Sequence, residues 1–398
     1  MRVSYQKNRA HKYFQLALSI FLAAGAQVTQ ADTGLTSEGV PTEFRNTTEQ
    51  LIKHINEGDT EAVQNLIDVR ALGYRAAKLL TDKQKERDDY VAGFTKSGTR
   101  IAALLTSSIK EGDGNVKLMK YVERGRELRS LTRFNMGDSG FDYLEFVLNA
   151  DAKGTYRVVD WYQLTAGQLY SVSLGAVSKV FVDPDPGILW SLLGVKKVDR
   201  AILEKIKKIG ALMREGEYSE ALVIFNQLPD KVRNSRIFLT IGINIANKLQ
   251  DNDLYSRMLT DMATYHADDP AAAFMLLDYY YLQGDMKKAL RSVDAIEQRV
   301  GTDGMIQMLR ANLNIGLNEF EKAVHFAQES TTLEPDLEDG YFSLALAYVG
   351  AGKHSEAIDT YQLLETRFGY QFSQEDFAED PSYEQFRQSK AFIAWFKE

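Results

Sequence analysis

Three patterns of apolar and polar positions succeed one another along the chain. From Thr42 to about residue 110, apolar residues recur at helical spacing. The stretch TEFRNTTEQLIKHINEGDTEAVQNLID predicts two short helices broken at Gly58-Asp59, and TDKQKERDDYVAGFTKSGTRIAALLTSSI predicts a long one starting at Thr81, whose hydroxyl suits a helix cap. Between residues 116 and 163 the period changes. VKLMKYV, ELRSLTRFNM, FDYLEFVLNA and TYRVVDWYQ alternate or run β-branched and aromatic, and the turn formers GDSG and NADAKG separate them. Three helices followed by an antiparallel meander predict an α+β domain over residues 42–182, its sheet wrapped around the long helix. From about residue 200 the pattern is helical again, and it repeats.

The repeat is carried by small and bulky residues at fixed offsets. GEYSEALVIFNQL, GDMKKALRSVDAI and GKHSEAIDTYQLL share a glycine, a bulky residue two places on and an alanine three places after that. Ala221, Ala289, Ala323 and Ala357 fall 68, 34 and 34 residues apart, and Gly216, Gly284 and Gly352 keep the 68-residue interval. A constant period of this length is the mark of stacked helical hairpins. The glycine ends a first helix in a left-handed conformation, and the alanine sits where the second helix crosses the first closely. The bulky residue (Tyr218, Met286, Phe320, His354) packs into the turn, and Phe225, Val293 and Tyr361 fill the groove between hairpins.

In these residues, with Leu344, Ala345 and Tyr348 on a first helix, the chain resembles the tetratricopeptide-repeat family over about residues 200–370. The copies differ in quality. The one near Gly304 has Arg310 and Asn314 where large apolar residues are expected, and the one near Ser235 places Tyr255 where alanine belongs and reads as a distorted hairpin. The order of elements in the N-terminal half is similar to that of the nuclear-transport-factor-2-like or cystatin-like group. The expected organisation is a signal peptide over 1–26, a flexible segment over 27–41, the α+β domain over 42–182, a linker over 183–200 marked by VDPDPG and Trp190, an all-α solenoid over 201–370, and a cap over 371–398. In the cap, Tyr383, Phe386, Phe392, Trp395 and Phe396 lie at helical spacing and predict a helix covering the last apolar face.

The resemblance implies binding of another protein or peptide in the concave groove lined by the first helix of each hairpin. Family geometry places Phe274, Asp278, Tyr281, Met308, Asn312, Ile315, Phe342, Leu346 and Val349 there. That lining lacks the lysine and asparagine pattern with which some relatives clamp a C-terminal carboxylate, so no such ligand is expected. An alternative occupant of the groove is the protein's own N-terminal domain or cap.

Charge narrows the partner. The whole chain carries 47 basic and 55 acidic groups; without the four basic groups of the first 26 residues the remainder stands at −12. Such a body lacks the cationic surface that nucleic acid or an anionic leaflet requires. The first stretch, MRVSYQKNRAHKYFQLALSIFLAAGAQVTQAD, has a basic start, an apolar run too short to span a bilayer and small residues before Gln27 and Asp32. It predicts export to the periplasm, or secretion, with cleavage after Ala26 or Ala31; an uncleaved inner-membrane anchor is the alternative. The absence of cysteine removes thiol nucleophiles, disulfides and Cys-ligated zinc.

Candidate chemistry is sparse. His11, His54, His266, His325 and His354 have no metal-ligand spacing, no phosphate-binding glycine loop is present, and no cofactor is expected. The one cluster lies on the sheet: Tyr143 and Glu145 point with Val147 away from Leu144, Phe146 and Leu148, and Tyr156, Asp160 and Tyr162 are expected to share a face of the next strand. A carboxylate beside tyrosines suits a polar-ligand site or a general base, which gives an alternative function as small-ligand binder or hydrolase with the repeats as docking arm. The competing expectation is an ordinary hydrogen-bonded sheet face.

Overall fold

A computed structural model describes residue 35 and residues 37–96, 101–110, 114–136, 140–182, 200–269 and 272–397. The expected signal peptide, its two cleavage motifs and the linker around Trp190 lie outside the described residues. The protein has an antiparallel sheet with helices in its N-terminal half and helical hairpins after it.

Helices α1 (Thr42–Asn56) and α2 (Thr60–Leu66) break where the sequence predicts, with Gly58 left-handed and Asp59 accepting a hydrogen bond from the Ala62 amide. The next region differs from expectation. An additional helix, α3 (Val69–Ala77), comes first, and in place of one long helix from Thr81 there are α4 (Gln84–Lys96) and α5 (Ile101–Lys110). Asp68 caps α3, a start that the apolar pattern alone does not reveal. Thr81 lies three residues ahead of α4 and accepts from the Lys83 amide.

Strands β1 (Asn115–Arg124), β2 (Glu127–Asn135), β3 (Phe141–Ala150) and β4 (Tyr156–Gln163) pair in sequence order, and the two-residue β5 (Gln168–Leu169) extends the meander. One face is core. Val116, Tyr121, Phe134, Leu144, Phe146, Leu148, Val158 and Trp161 bury against Phe44, Leu51 and Ile55 of α1 and Ile101, Leu105 and Ile109 of α5. Helix α6 (Tyr170–Val182) leaves the sheet with Tyr170 stacked on Trp161 at 4.2 Å.

The hairpins follow as α7 (Arg200–Glu215) with α8 (Tyr218–Phe225), the short α9 (Asp230–Arg233), α10 (Arg236–Leu249) with α11 (Asn252–His266), α12 (Ala273–Leu282) with α13 (Met286–Val300), α14 (Gly304–Gly316) with α15 (Phe320–Leu333), and α16 (Glu338–Gly350) with α17 (His354–Phe368). Gly216, Gly284 and Gly352 all have positive φ, and Ala221, Ala289, Ala323 and Ala357 are fully buried. The hairpins without glycine use Gln250 and Asn318 in the same left-handed conformation, at the cost that a side chain imposes there. The bulky turn residue reaches further than its own turn. Met286 touches Gly316 and Phe320 touches Gly350, each glycine lying 30 residues on, where a Cβ would crowd or overlap the side chain.

The chain divides into two compact units within α12, after Leu276. In the first, Arg236 of α10 is buried. It donates to the Ala166 carbonyl at 3.0 Å and pairs with Asp269 at 2.7 Å, which ties the sheet's last turn to the hairpins that follow. In the second, hairpins α12–α17 end in a cap made of short pieces rather than one helix: two 3-10 turns (Gln374–Phe377, Pro381–Tyr383), α18 (Glu384–Arg387) and α19 (Lys390–Trp395). Its aromatic residues close over Tyr361 and Leu364 of α17.

Candidate functional site

The sheet face turned away from the core carries the cluster predicted on β3 and β4. Pairing puts Tyr162 beside Glu145 and Asp160 beside Val147, so Tyr143, Glu145, Asp160 and Tyr162 share that face. Tyr156 does not. A bulge at Val159 shifts the register between Val147 and Leu148 and reverses the alternation, because side chains change face with every residue. Tyr156 therefore points into the core, edge-on to Phe44 at 5.4 Å.

The carboxylates on this face are consumed by arginines. Glu145 accepts from Arg124 at 2.9 and 3.1 Å and from Arg129 at 3.0 Å, with its side chain only 3 % exposed. Arg129 continues to Glu127 at 2.7 Å, and Arg75, reaching from α3, bridges Glu127 and Asp160 at 2.8 Å each. Asp160 also accepts from the Ser171 hydroxyl and from the amides of Ser171 and Trp161. Burial pushes the Asp160 carboxyl up, and the Ser171 and Arg75 hydrogen bonds only partly offset it. For Glu127, burial is outweighed by Arg75 and Arg129, which hold it below the usual carboxylate range. The arrangement is a chain of alternating charges. Its three arginines, which sequence reading passed over, sit on β1, β2 and α3 at positions whose period suggests only solvated strand and helix faces. Any proton transfer to Glu145 or Asp160 would break charge-assisted hydrogen bonds.

A further carboxyl, Asp142, lies at the start of β3. It accepts from Gln163 and from the Thr165 hydroxyl and amide, yet full burial raises it to about 6. Among the described residues no group of three His, Asp or Glu is placed to hold a metal ion. His266 contacts the Asn234 carbonyl at 2.8 Å, and His354 meets the edge of Phe386 at 5.6 Å.

The groove residues separate into buried and half-exposed sets. Phe274, Asp278, Met308 and Val349 are buried, whereas Tyr281, Asn312, Ile315, Phe342 and Leu346 are half-buried. Phe274 is packed by the sheet: the rings of Phe141 and Tyr143 lie 5.3 and 6.3 Å from it. Phe342 meets Tyr370 at 4.8 Å and Phe372 at 6.3 Å, and Leu346 packs on the same C-terminal cluster. Asn312 accepts from Ser343 at 2.8 Å, joining α14 to α16. Burial, and after it the Asp278 carboxylate, raises the Tyr281 phenol above its ordinary value.

The anomalous residues of the α14 hairpin are accounted for as well. Arg310 pairs with Asp294 and Glu297 of the preceding α13, and the buried Asn314 donates to the Arg310 carbonyl at 2.8 Å. Polar residues replace apolar packing there through satisfied hydrogen bonds.

No protein-family model and no curated protein sequence matches this chain. A solved structure described as MamA AMB-1 is similar over 46 % of this chain and 100 % of its own, at 16 % identity and a TM-score of 0.35. That likeness is too slight to bear on function. The reading of residues from about 200 onward as helical hairpins rests on their 34-residue period and on the buried alanines and left-handed turns that realise it.

Proposed function

We propose that this chain is an exported scaffold that binds a polypeptide along the first helices of its C-terminal hairpins. The observation that carries the reading is a half-exposed row at repeat spacing: Tyr281 and Ile315, and Asn312 and Leu346, are each 34 residues apart on α12, α14 and α16. Asn312 and Leu346 lie between buried neighbours on their helices, and the row as a whole keeps part of its surface in water. Rows of this kind in stacked repeats suit an elongated partner. The acid balance of the C-terminal unit, 11 basic against 21 acidic groups over residues 277–398, supports faster encounter with a basic partner. The ion-paired state of Glu145 and Asp160 supports scaffold over hydrolase.

A photocrosslinking residue at Leu346, compared with one at Glu356 on the exposed side of α17, tests the reading in the intact envelope. Crosslinks from Leu346 to one discrete polypeptide, lost in Ile315→Asp and absent from Glu356, are expected. Equal labelling from both positions rejects the row as the binding surface. The basic start and small-residue motifs support export; N-terminal sequencing is expected to find Gln27 or Asp32, and a retained Met1 in the membrane fraction overturns it. Among the described residues no helix is long and apolar enough to cross a membrane.

A further inference from the structure

Strand β1 is the outer strand of the sheet, so its far side presents a row of backbone groups that no strand of the meander pairs. A ten-residue edge of this kind is open to strand addition unless something covers it. Two of its positions are covered. The Asn56 carboxamide, at the end of α1, donates to the Val116 carbonyl at 2.9 Å and accepts from the Val116 amide at 2.6 Å, the two bonds that a neighbouring strand would make there. The Leu35 amide donates to the Tyr121 carbonyl at 2.9 Å in an isolated antiparallel bridge, and the Leu35 side chain packs on the domain core. Val116 and Tyr121 lie an odd number of residues apart, yet both turn their backbone outward, because the bulge between Leu118 and Lys120 absorbs one residue. Beyond Tyr121 no bulge intervenes, so the backbone of Glu123 turns the same way.

The described chain begins at Leu35, on this edge, and the antiparallel bridge sets the direction from which the preceding residues arrive. Counting back through the register puts Gly34 opposite Val122, Thr33 opposite Glu123 and Asp32 opposite Arg124. Each opposition suits the residues concerned. Val122 is fully buried, and a glycine opposite it adds no side chain to that face. Glu123 is exposed, and threonine is at home on a half-exposed strand. Arg124 pairs with the Glu145 carboxylate, and an aspartate directly opposite brings further negative charge to the guanidinium. After Arg124 the chain turns at Gly125, whose φ is 64°, so the edge ends there.

We propose that the outer edge of β1 beyond Tyr121 is the docking site of this chain's own residues 32–34, which add to the sheet as a sixth strand through paired backbone hydrogen bonds between Thr33 and Glu123. Both expected mature starts, Gln27 and Asp32, retain these residues. The added strand closes the last part of the edge and brings the N-terminus to the β1–β2 turn. A partner strand or a second copy then finds no open backbone at Glu123.

Amide hydrogen exchange resolved by residue, on the purified full chain, tests this. The Thr33 and Glu123 amides are expected to exchange about a hundredfold more slowly than in an unstructured peptide, at every protein concentration. Thr33→Pro, which lacks the donor, should speed exchange at Glu123 about tenfold while leaving the Val122 amide, which faces β2, unchanged. Exchange of Thr33 at the unstructured rate, or Glu123 protection indifferent to Thr33→Pro, overturns the proposal. Protection that appears only at high concentration assigns the edge to a second copy and overturns it too. Should Thr33→Pro lose its circular dichroism, the wild-type rates at Thr33 and Glu123 and their concentration dependence decide alone. The measurement reads the same with the leader removed or retained, so failure of the export reading leaves it standing.

Discussion

The outer face of the sheet and the C-terminal cap each bury a surface that the regular elements leave open, and they do so with opposite chemistry. On the sheet, Arg124, Glu145, Arg129, Glu127, Arg75 and Asp160 alternate in sign along one hydrogen-bonded chain. In the cap, Phe377 is fully buried among seven aromatic rings within 6.3 Å. A charge chain is stable only when every member is present, because a lone buried charge costs several kcal/mol. An aromatic cluster has no such all-or-none condition. It responds to lost volume, and pH and salt barely touch it.

The largest expected effect falls in the cap. Phe377→Ala should lose about 4 kcal/mol of stability, with the same loss at pH 5 and pH 8, measured by urea unfolding. A strong pH dependence would break the contrast. Next comes Glu145→Gln, which removes the carboxylate that Arg124 and Arg129 share and should cost about 3 kcal/mol. Replacing Glu145 together with both arginines by apolar residues of similar size should recover most of that loss, and failure to recover would mean the face is held by something other than pairing.

Asp142 gives the sharpest pH signature. Its folded value of about 6 lies above the ordinary 3.8, so its contribution to stability is fully present below about pH 4 and is lost as pH rises through 6. The difference between wild type and Asp142→Asn should therefore change by about 2 kcal/mol between pH 4 and pH 7, favouring the variant at the higher pH. A flat difference across that range shows the carboxyl to be unperturbed. The smallest effects belong to the repeats: Ala289→Leu and Ala357→Leu should each cost about 1.5 kcal/mol by forcing apart closely crossing helices, while Lys287→Leu on the exposed face changes little. Equal midpoints for all three would contradict the hairpin register.

Much of the second half could be read directly because its logic is local. A glycine or its left-handed substitute ends a helix, an alanine permits a close crossing, and both recur at one period whatever surrounds them. The strands too were legible from alternation. What escaped reading were contacts between residues far apart in sequence. Nothing around Val159 announces a bulge, yet it sends Tyr156 to the core and leaves Asp160 and Tyr162 on the other face. Nothing near Glu145 foretells that Arg124 and Arg129 close on it, and the start of α3 at Asp68 depends on a bond from its amide to the Val158 carbonyl.

The groove shows the division most plainly. The 34-residue period puts Phe274, Met308 and Phe342 at one repeat position, and the family resemblance placed that position in the groove. Whether that position is open depends on what the rest of the chain brings to it. Strand β3 covers Phe274 and the stretch after Gly369 covers Phe342, while Tyr281, Ile315 and Leu346 keep part of their surface in water. The sequence by itself determined the hairpins and their register, because these follow from local conformational preference and helical period. Only the tertiary structure decided which of those side chains remain accessible and how the carboxylates pair, because burial and pairing are set by residues from separate elements, as with Arg75 and Asp160 or Phe141 and Phe274, meeting across the folded chain.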